Sequence, residues 1–142
     1  MKSINILIVL LLILFSHSNI AVAQTDFLII ANKDVSQDII NQNELRKIYF
    51  GLTTQWKGQK KIKPTYSEIE LEVFLSYIET SKRSYKSFWT KKIFSGNGVA
   101  PVEFGDVKNV IDYVGNTSGA IGVIPISLKN EVSADCKIMR IE

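Results

Sequence analysis

Histidine and cysteine are almost absent from this sequence, which has one of each, His17 and Cys136. One cysteine cannot form an internal disulfide, and a zinc site of the usual His/Cys type lacks enough ligands. There is no Walker loop, and Gly96-Asn97-Gly98 lacks the third glycine of a dinucleotide-binding fingerprint. The sequence therefore predicts no metal and no cofactor. Cys136 is interpreted either as a partly buried side chain on a terminal strand or as a free thiol that dimerises under oxidation.

The first 23 residues follow the order of a secretory signal peptide. Lys2 precedes an apolar run over residues 4–15, which is followed by a polar stretch. Ala21 and Ala23 supply the small side chains that a signal peptidase reads, so cleavage is predicted before Gln24. A membrane-spanning helix needs roughly 20 apolar residues, and this run is shorter. We therefore expect a cleaved signal rather than a membrane anchor, and a periplasmic or secreted protein.

Removal of that signal leaves residues 24–142, the size of a single domain. His17 is lost with the signal, so no imidazole remains to act as a general base near neutral pH. Of 17 basic residues only Lys2 is lost, and all 14 acidic residues remain, so the mature chain is only mildly basic. This composition predicts neither an enzyme nor a nucleic-acid-binding protein, and no later run is long enough to span a membrane.

Short apolar runs alternate with amphipathic segments along the mature chain. The predicted strands are residues 26–32, 61–66, 119–124 and 137–141, and the predicted helices begin near Asn41, at Ser67, near Ser84 and at Asp106. Residues 33–42 are expected to be a polar connection, and residues 53–61 a hairpin-like stretch. Strands interleaved with helices predict an α/β domain.

Two of these helices start with the spacing of a capping box, Asn41 with Glu44 and Ser67 with Glu70. Gly51 follows the first of them and can take the left-handed closing conformation. The second is predicted to follow directly on a strand. Its helical spacing is carried by five apolar residues, Ile69, Val73, Phe74, Tyr77 and Ile78.

Two further residue types carry local predictions. Pro64 in the second strand indicates that one edge of that strand is free, because proline lacks the N–H that a ladder needs. The glycines of the third strand, Gly119 and Gly122, are predicted to let another backbone or a ligand approach closely.

Two segments are candidates for ligand binding. At Ser67 and Glu68 a predicted helix start follows a strand, which is where α/β sheets place anions and other ligands. Glu68 itself puts negative charge at that position. Thr117, Ser118 and Gly119 supply hydroxyls and flexible backbone beside a strand, and the same segment also reads as an ordinary turn.

Between residues 57 and 92 there are nine basic residues against four acidic ones. This excess is interpreted either as a surface for an acidic partner or for phosphate groups, or as the solvated face of helices whose aromatic residues form the core.

Several motifs occur in an order that resembles a known family. They are residues 44–51 (ELRKIYFG), Trp56 with Gly58, Lys63-Pro64, residues 88–96, residues 110–114 and residues 119–125 (GAIGVIP). The set resembles periplasmic phosphate-binding proteins of ABC importers, which are type II periplasmic binding proteins, and it covers residues 26–127. The resemblance implies a mixed sheet flanked by helices. It also implies an exported module that binds phosphate or a similar oxyanion in a phosphate ABC transport context.

The sequence departs from that family in two respects. Family members have two lobes with a ligand cleft between them, and this chain is long enough for one. The family's phosphate loop has a Ser-Gly-Thr type sequence, whereas Tyr66-Ser67-Glu68-Ile69-Glu70 here has lost the glycine and gained two carboxylates. The alternative function is therefore an envelope protein–protein interaction module that has lost its small ligand.

Overall fold

The computed structural model describes residues 25–142. The predicted signal peptide, with His17 and the cleavage site before Gln24, lies outside the described residues. In the part of the chain that is described, no helix has both the length and the apolar character needed to cross a bilayer.

The described chain folds into a six-stranded mixed sheet with helices packed on both faces. The strands are β1 (Phe27–Asn32), β2 (Ile39–Ile40), β3 (Lys63–Ser67), β4 (Val102–Phe104), β5 (Ala120–Pro125) and β6 (Cys136–Ile141). The helices are α1 (Gln42–Tyr49), α2 (Leu71–Tyr77), α3 (Lys82–Phe94) and α4 (Val107–Asn116), with a 3-10 segment at Ile126–Glu131. The predicted α/β class with a mixed sheet flanked by helices is confirmed.

The strand order is β2-β6-β1-β5-β3-β4. Strand β1 is antiparallel to both of its neighbours, β5 and β6, whereas β3 runs parallel to β5 and to β4. Alternate residues of β1 enter two separate cores, as the period of a strand requires. Phe27, Ile29 and Ala31 pack with the core that includes α1, α2 and α3, while Ile30 packs with the apolar stripe of α4.

The caps of α1 follow the sequence prediction. Asn41 accepts a hydrogen bond from the backbone N–H of Glu44, and the Glu44 carboxylate accepts one from the backbone N–H of Asn41. Gly51 closes the helix with a φ of 64°. The apolar face of α1, with Leu45, Ile48 and Tyr49, is buried, which fixes this helix against the sheet.

The prediction for α2 is wrong in its start and for two of its five apolar residues, whereas Phe74 and Ile78 are buried and Tyr77 is half-buried. Ser67 is the last residue of β3, and α2 begins at Leu71 with Glu70 as an N-cap that makes no side-chain hydrogen bond. The pairing of β3 with β4 continues to Ser67, which keeps the backbone extended where the capping-box pattern predicted a helix. As a result Ile69 and Val73 are 71% and 44% exposed.

Two short strands were not predicted. Strand β2 lies in the stretch expected to be a polar connection, and β4 lies between the third and fourth predicted helices, where no strand was predicted. Both exist only through pairing with strands distant in sequence, β6 and β3, so no local pattern marks them. Strand β3 pairs with β4 only from Thr65 onward, so Pro64 has no strand partner on that side. The strand as a whole is nevertheless an interior strand of the sheet.

Gly119 and Gly122 are sites of close approach within the protein. A Cβ on Gly119 would lie 2.3 Å from the carbonyl oxygen of Lys61, and one on Gly122 would lie 2.8 Å from a methyl carbon of Val110. These glycines therefore allow other parts of the same chain, the Lys61 carbonyl and the Val110 side chain, to approach closely. Cys136 is the first residue of β6 and is half-buried, as the interpretation of a partly buried side chain on a terminal strand predicted.

Candidate binding site

The predicted binding segments lie at opposite ends of two parallel strands. In the register of β3 with β5, Lys63 is paired with Ala120. Ser67 is the last residue of β3 and Glu68 follows it, whereas Thr117, Ser118 and Gly119 precede the N-terminal end of β5. Since a strand rises about 3.3 Å per residue, the two segments are separated by roughly 15 Å along the strands. They form two sites and not one.

The backbone groups at the end of β3 already have partners. The Ser67 side chain is buried, and its hydroxyl oxygen accepts a hydrogen bond from the backbone N–H of Ile69 at 3.2 Å. The backbone N–H of Glu68 donates to the carbonyl oxygen of Phe104, also at 3.2 Å. These two N–H groups stabilise the turn after β3, so neither is available to an anion.

Cationic side chains do converge at this edge, on the exposed carboxylate of Glu68. The Nζ atoms of Lys82 and Lys86 lie 3.1 Å and 3.8 Å from the same oxygen, Oε1 of Glu68. The hydrogen bond from Lys82 is the main cause that lowers the pKa of Glu68, followed by the positive charges of Lys82 and Lys86. Helix α3 places these lysines one turn apart, on the same face.

A second carboxylate and a phenol complete the arrangement. Lys86 Nζ lies 3.0 Å from Oε2 of Glu103, and the Tyr66 hydroxyl donates to the same oxygen at 2.9 Å. Burial, then the bond to Glu103, raises the pKa of Tyr66 far above its usual value, so this hydroxyl remains a donor. We call Tyr66, Glu68, Lys82, Lys86 and Glu103 the Glu68 cluster.

The Glu68 cluster has the donors of an oxyanion site, and two carboxylates of the protein already occupy them, Glu68 at Lys82 and Glu103 at Lys86 and Tyr66. Two ammonium groups and a phenol whose pKa is raised can donate charge-assisted hydrogen bonds to a charged oxygen. Next to them lies a cavity of about 170 Å³, whose lining includes Tyr66, Lys86 and Glu103. Among residues 25–142 no group of three or more His, Cys, Asp or Glu side chains is placed to hold a metal ion.

At the other end of β5, the predicted donors are bound to Asp34. Ser118 Oγ donates to Oδ2 of Asp34 at 2.6 Å, and the backbone N–H of Gly119 donates to Oδ1 at 3.2 Å. Lys60 Nζ lies 2.8 Å from Oδ2 of the same carboxylate. Thr117 follows α4, and its carbonyl oxygen accepts from the N–H of Ala120. This segment thus fastens the loop after β1 to the start of β5.

Asp34 links the stability of the fold to pH. Burial acts to raise its pKa, but the hydrogen bonds from Lys60, Ser118 and Gly119 outweigh burial, and the pKa falls from 3.8 to about 2. A lowered pKa stabilises the fold above the unfolded-state value, and this stabilisation is lost as the pH falls from about 4 to about 2.

Asp34→Asn is expected to lower the free energy of unfolding by about 1 kcal/mol at pH 7, because Asp34 is partly exposed and its ion pair is screened by solvent. The variant should also lose less stability than the parent between pH 4 and pH 2. Urea unfolding across this range measures both effects. Glu131→Gln, at an exposed carboxylate without an ion pair among the described residues, is the control. Parallel pH profiles for Asp34→Asn and the parent would contradict this role.

Sequence reasoning found Ser67, Glu68, Ser118 and Gly119 but missed their ionic partners. Lys82, Lys86 and Glu103 are distant from Glu68 in the sequence, and they meet it only because α3 packs beside the end of β3. The local signals were the basic excess over residues 57–92, which includes Lys82 and Lys86, and the spacing of these two lysines, four residues apart.

Comparison with known proteins gives a structural likeness. No protein-family model matches the sequence, and no curated protein matches it. An ABC-type phosphate transport receptor from Vibrio cholerae superposes with a TM-score of 0.53 at 17% identity, over 82% of this chain and 46% of that protein. PstS from Borrelia burgdorferi gives 0.57 at 18% identity, over 82% and 47%.

A third similar structure, from Clostridium perfringens, was assigned as a phosphate ABC transporter substrate-binding protein and carries bound phosphate. It gives a TM-score of 0.64 at 16% identity, over 82% of this chain and 44% of that protein. This chain spans less than half the length of each of the three. The fold is therefore that of one lobe of such substrate-binding proteins, as the sequence motifs implied.

Proposed function

We propose that this protein is an exported, non-enzymatic binding module that holds phosphate or a similar oxyanion at the Glu68 cluster, in competition with the carboxylate of Glu68. The observation that carries the proposal is the convergence of Lys82 and Lys86 on one oxygen of Glu68. Ammonium groups that converge on a charged carboxylate oxygen can also bind an inorganic oxyanion, by charge-assisted hydrogen bonds.

Two further observations support this proposal. The similar structures are phosphate transport proteins by name, and one of them contains phosphate. In this chain Glu68 is solvent-exposed, so its carboxylate can leave the lysines without opening the core. An exposed ion pair contributes little stability, so displacement by a soluble anion requires little free energy.

The expected affinity is low, since only one lobe is available and Glu68 competes. Calorimetric titration of residues 24–142 with inorganic phosphate at low salt should give a Kd on the order of 1 mM. Lys82→Ala/Lys86→Ala should abolish the binding heat. Lys108→Ala/Lys129→Ala removes two exposed lysines elsewhere and is expected to bind like the parent. No binding by the parent at 10-fold higher phosphate, or equal losses in both double variants, would refute the proposal.

Export is a separate part of the proposal, and it rests on the signal-peptide pattern of residues 1–23. The protein recovered from outside the cytoplasm should begin at Gln24, which intact-mass spectrometry determines directly. A recovered chain that retains residues 1–23 would contradict cleavage.

The second candidate function is an envelope protein–protein interaction module. One observation favours it: α3 carries basic residues that the Glu68 cluster does not use, on a face turned to solvent.

A further inference from the structure

Helix α3 has five basic residues and no acidic one among its thirteen residues. Lys82 and Lys86 belong to the Glu68 cluster, and Lys92 donates a hydrogen bond to the carbonyl oxygen of Phe50. The other two, Arg83 and Lys91, are exposed and have no ion-pair partner among residues 25–142. Their charges contribute to no contact that holds this part of the fold together.

The position of Arg83 is unfavourable for the helix itself. It lies in the first turn of α3, where the positive end of the helix dipole disfavours a cation. Lys82, in the same turn, is compensated by Glu68, whereas Arg83 lacks such a partner among the described residues. A residue that breaks a local rule without a gain in the fold marks a candidate functional position.

Apolar groups lie beside these cations. A shallow depression of about 410 Å³ is lined by Arg83, Ser84, Ser87, Phe88 and Lys91. The half-buried ring of Phe88 is held in place by the ring of Phe50, with centroids 4.8 Å apart. At the end of the helix, Phe94 is 88% exposed.

The helical spacing places Phe94 on the same face as Arg83 and Ser87, with Lys91 beside them. We call Arg83, Ser87, Phe88, Lys91 and Phe94 the α3 outer face.

We propose that the α3 outer face binds an acidic segment of a partner protein. Arg83 and Lys91 are eight residues apart, or about 12 Å along the helix axis. Two carboxylates at that separation would meet both cations, and an apolar side chain near them would contact Phe88 or Phe94. Exposed aromatic and arginine side chains are the groups that contribute most to protein interfaces.

The observations favour a protein segment over the other polyanions. Two unpaired cations on one helix are too few for the extended phosphate contacts of duplex DNA, and stable binding to an anionic membrane needs a larger cluster of basic residues. A short peptide is the polyanion that suits this surface best. Its carboxylates can lie at the separation of Arg83 and Lys91, and its apolar residue can contact the aromatic rings beside them. This inference does not depend on oxyanion binding, because it uses none of the Glu68 cluster.

The test uses a fluorescein-labelled synthetic peptide with two pairs of glutamates on either side of a leucine and a tryptophan. Fluorescence anisotropy at 150 mM NaCl should detect binding to the parent. Arg83→Glu/Lys91→Glu should weaken it at least 10-fold, and Phe94→Ser should weaken it several-fold. The matched charge reversal Lys108→Glu/Lys129→Glu should stay within twofold of the parent. Arg83→Glu agrees with the helix dipole, whereas Lys91→Glu in the last turn opposes it, so the two effects offset each other and the variant is expected to stay folded, which circular dichroism checks.

Three further measurements decide between occupants. Vesicles with 30% anionic lipid and a 20-base-pair DNA should bind more weakly than the peptide, and sedimentation should show a monomer. Tighter binding of lipid or DNA, lost in the Arg83 and Lys91 variant, would overturn the peptide proposal. A dimer of the parent that is absent in the Arg83 and Lys91 variant would also overturn it. Equal weakening of peptide binding by Lys108→Glu/Lys129→Glu would have the same consequence. Glu68→Gln should leave peptide binding unchanged, so failure here and failure of phosphate binding are separate results.

Discussion

Gly119→Ala is expected to lower the free energy of unfolding by about 3 kcal/mol, because two unfavourable effects combine at this position. The backbone of Gly119 has a φ of 74°, which alanine adopts only with strain. The added Cβ would also lie 2.3 Å from the carbonyl oxygen of Lys61, so the backbone would have to move. Urea unfolding followed by tryptophan fluorescence measures the loss.

The surroundings of Gly119 make that movement costly. Its carbonyl oxygen accepts hydrogen bonds from the indole N–H of Trp56 at 2.9 Å and from the backbone N–H of Lys63 at 3.2 Å. Its own N–H donates to Asp34. A shift of Gly119 therefore disturbs three connections at the start of β5 together.

Gly96→Ala is the matched control, because Gly96 has nearly the same φ, 72°, and its added Cβ would meet nothing within 4 Å. This variant should lose only the free energy of unfolding that comes from backbone strain, about 1–2 kcal/mol. Equal losses in the two variants would show that the close approach at Gly119 does not contribute.

Glu68→Gln is expected to tighten phosphate binding on the order of tenfold. The substitution removes the carboxylate that competes for Lys82 and that shares Lys86 with Glu103, and it removes a negative charge from beside a bound dianion. A glutamine has nearly the same shape, so the turn after β3 should be unchanged. Calorimetric titration with phosphate at low ionic strength measures the gain, which should shrink in 0.5 M NaCl because salt screens exposed charges.

The control for this prediction is Glu72→Gln. Glu72 is an exposed carboxylate in the first turn of α2, and it forms no ion pair with the described residues. Its replacement changes the net charge by the same amount and should change phosphate affinity less than twofold. If both variants tightened binding equally, the effect would come from net charge and not from the Glu68 cluster.

The sequence predicted the parts of the fold that local chemistry determines. The capping box at Asn41 and the helix start at Asp106 depend on residues within one or two helical turns, and the structure has both. The same capping-box pattern at Ser67 failed, because pairing between β3 and β4 held that residue in the sheet. A local signal was outweighed by a contact to a strand some 40 residues away.

The candidate site shows the same division. Glu68 was visible as a charge at the end of a strand, but its ionic partners on α3 depend on how that helix packs. Similarly, the hydroxyl of Ser118 was visible, but nothing near it in the sequence pointed to Asp34, 84 residues away. Residue types and local spacing therefore identified Glu68 and Ser118, whereas their ionic partners could be identified only from the tertiary packing.

The most direct test of the central claim is a calorimetric comparison of Glu68→Gln with Glu68→Gln/Lys82→Ala/Lys86→Ala, titrated with inorganic phosphate under the same conditions. If Glu68 occupies an oxyanion site built by the two lysines, the gain from Glu68→Gln exists only while they are present. We predict tightened binding in the single variant and no measurable binding in the triple variant. Equal phosphate affinity in the two proteins would contradict the account.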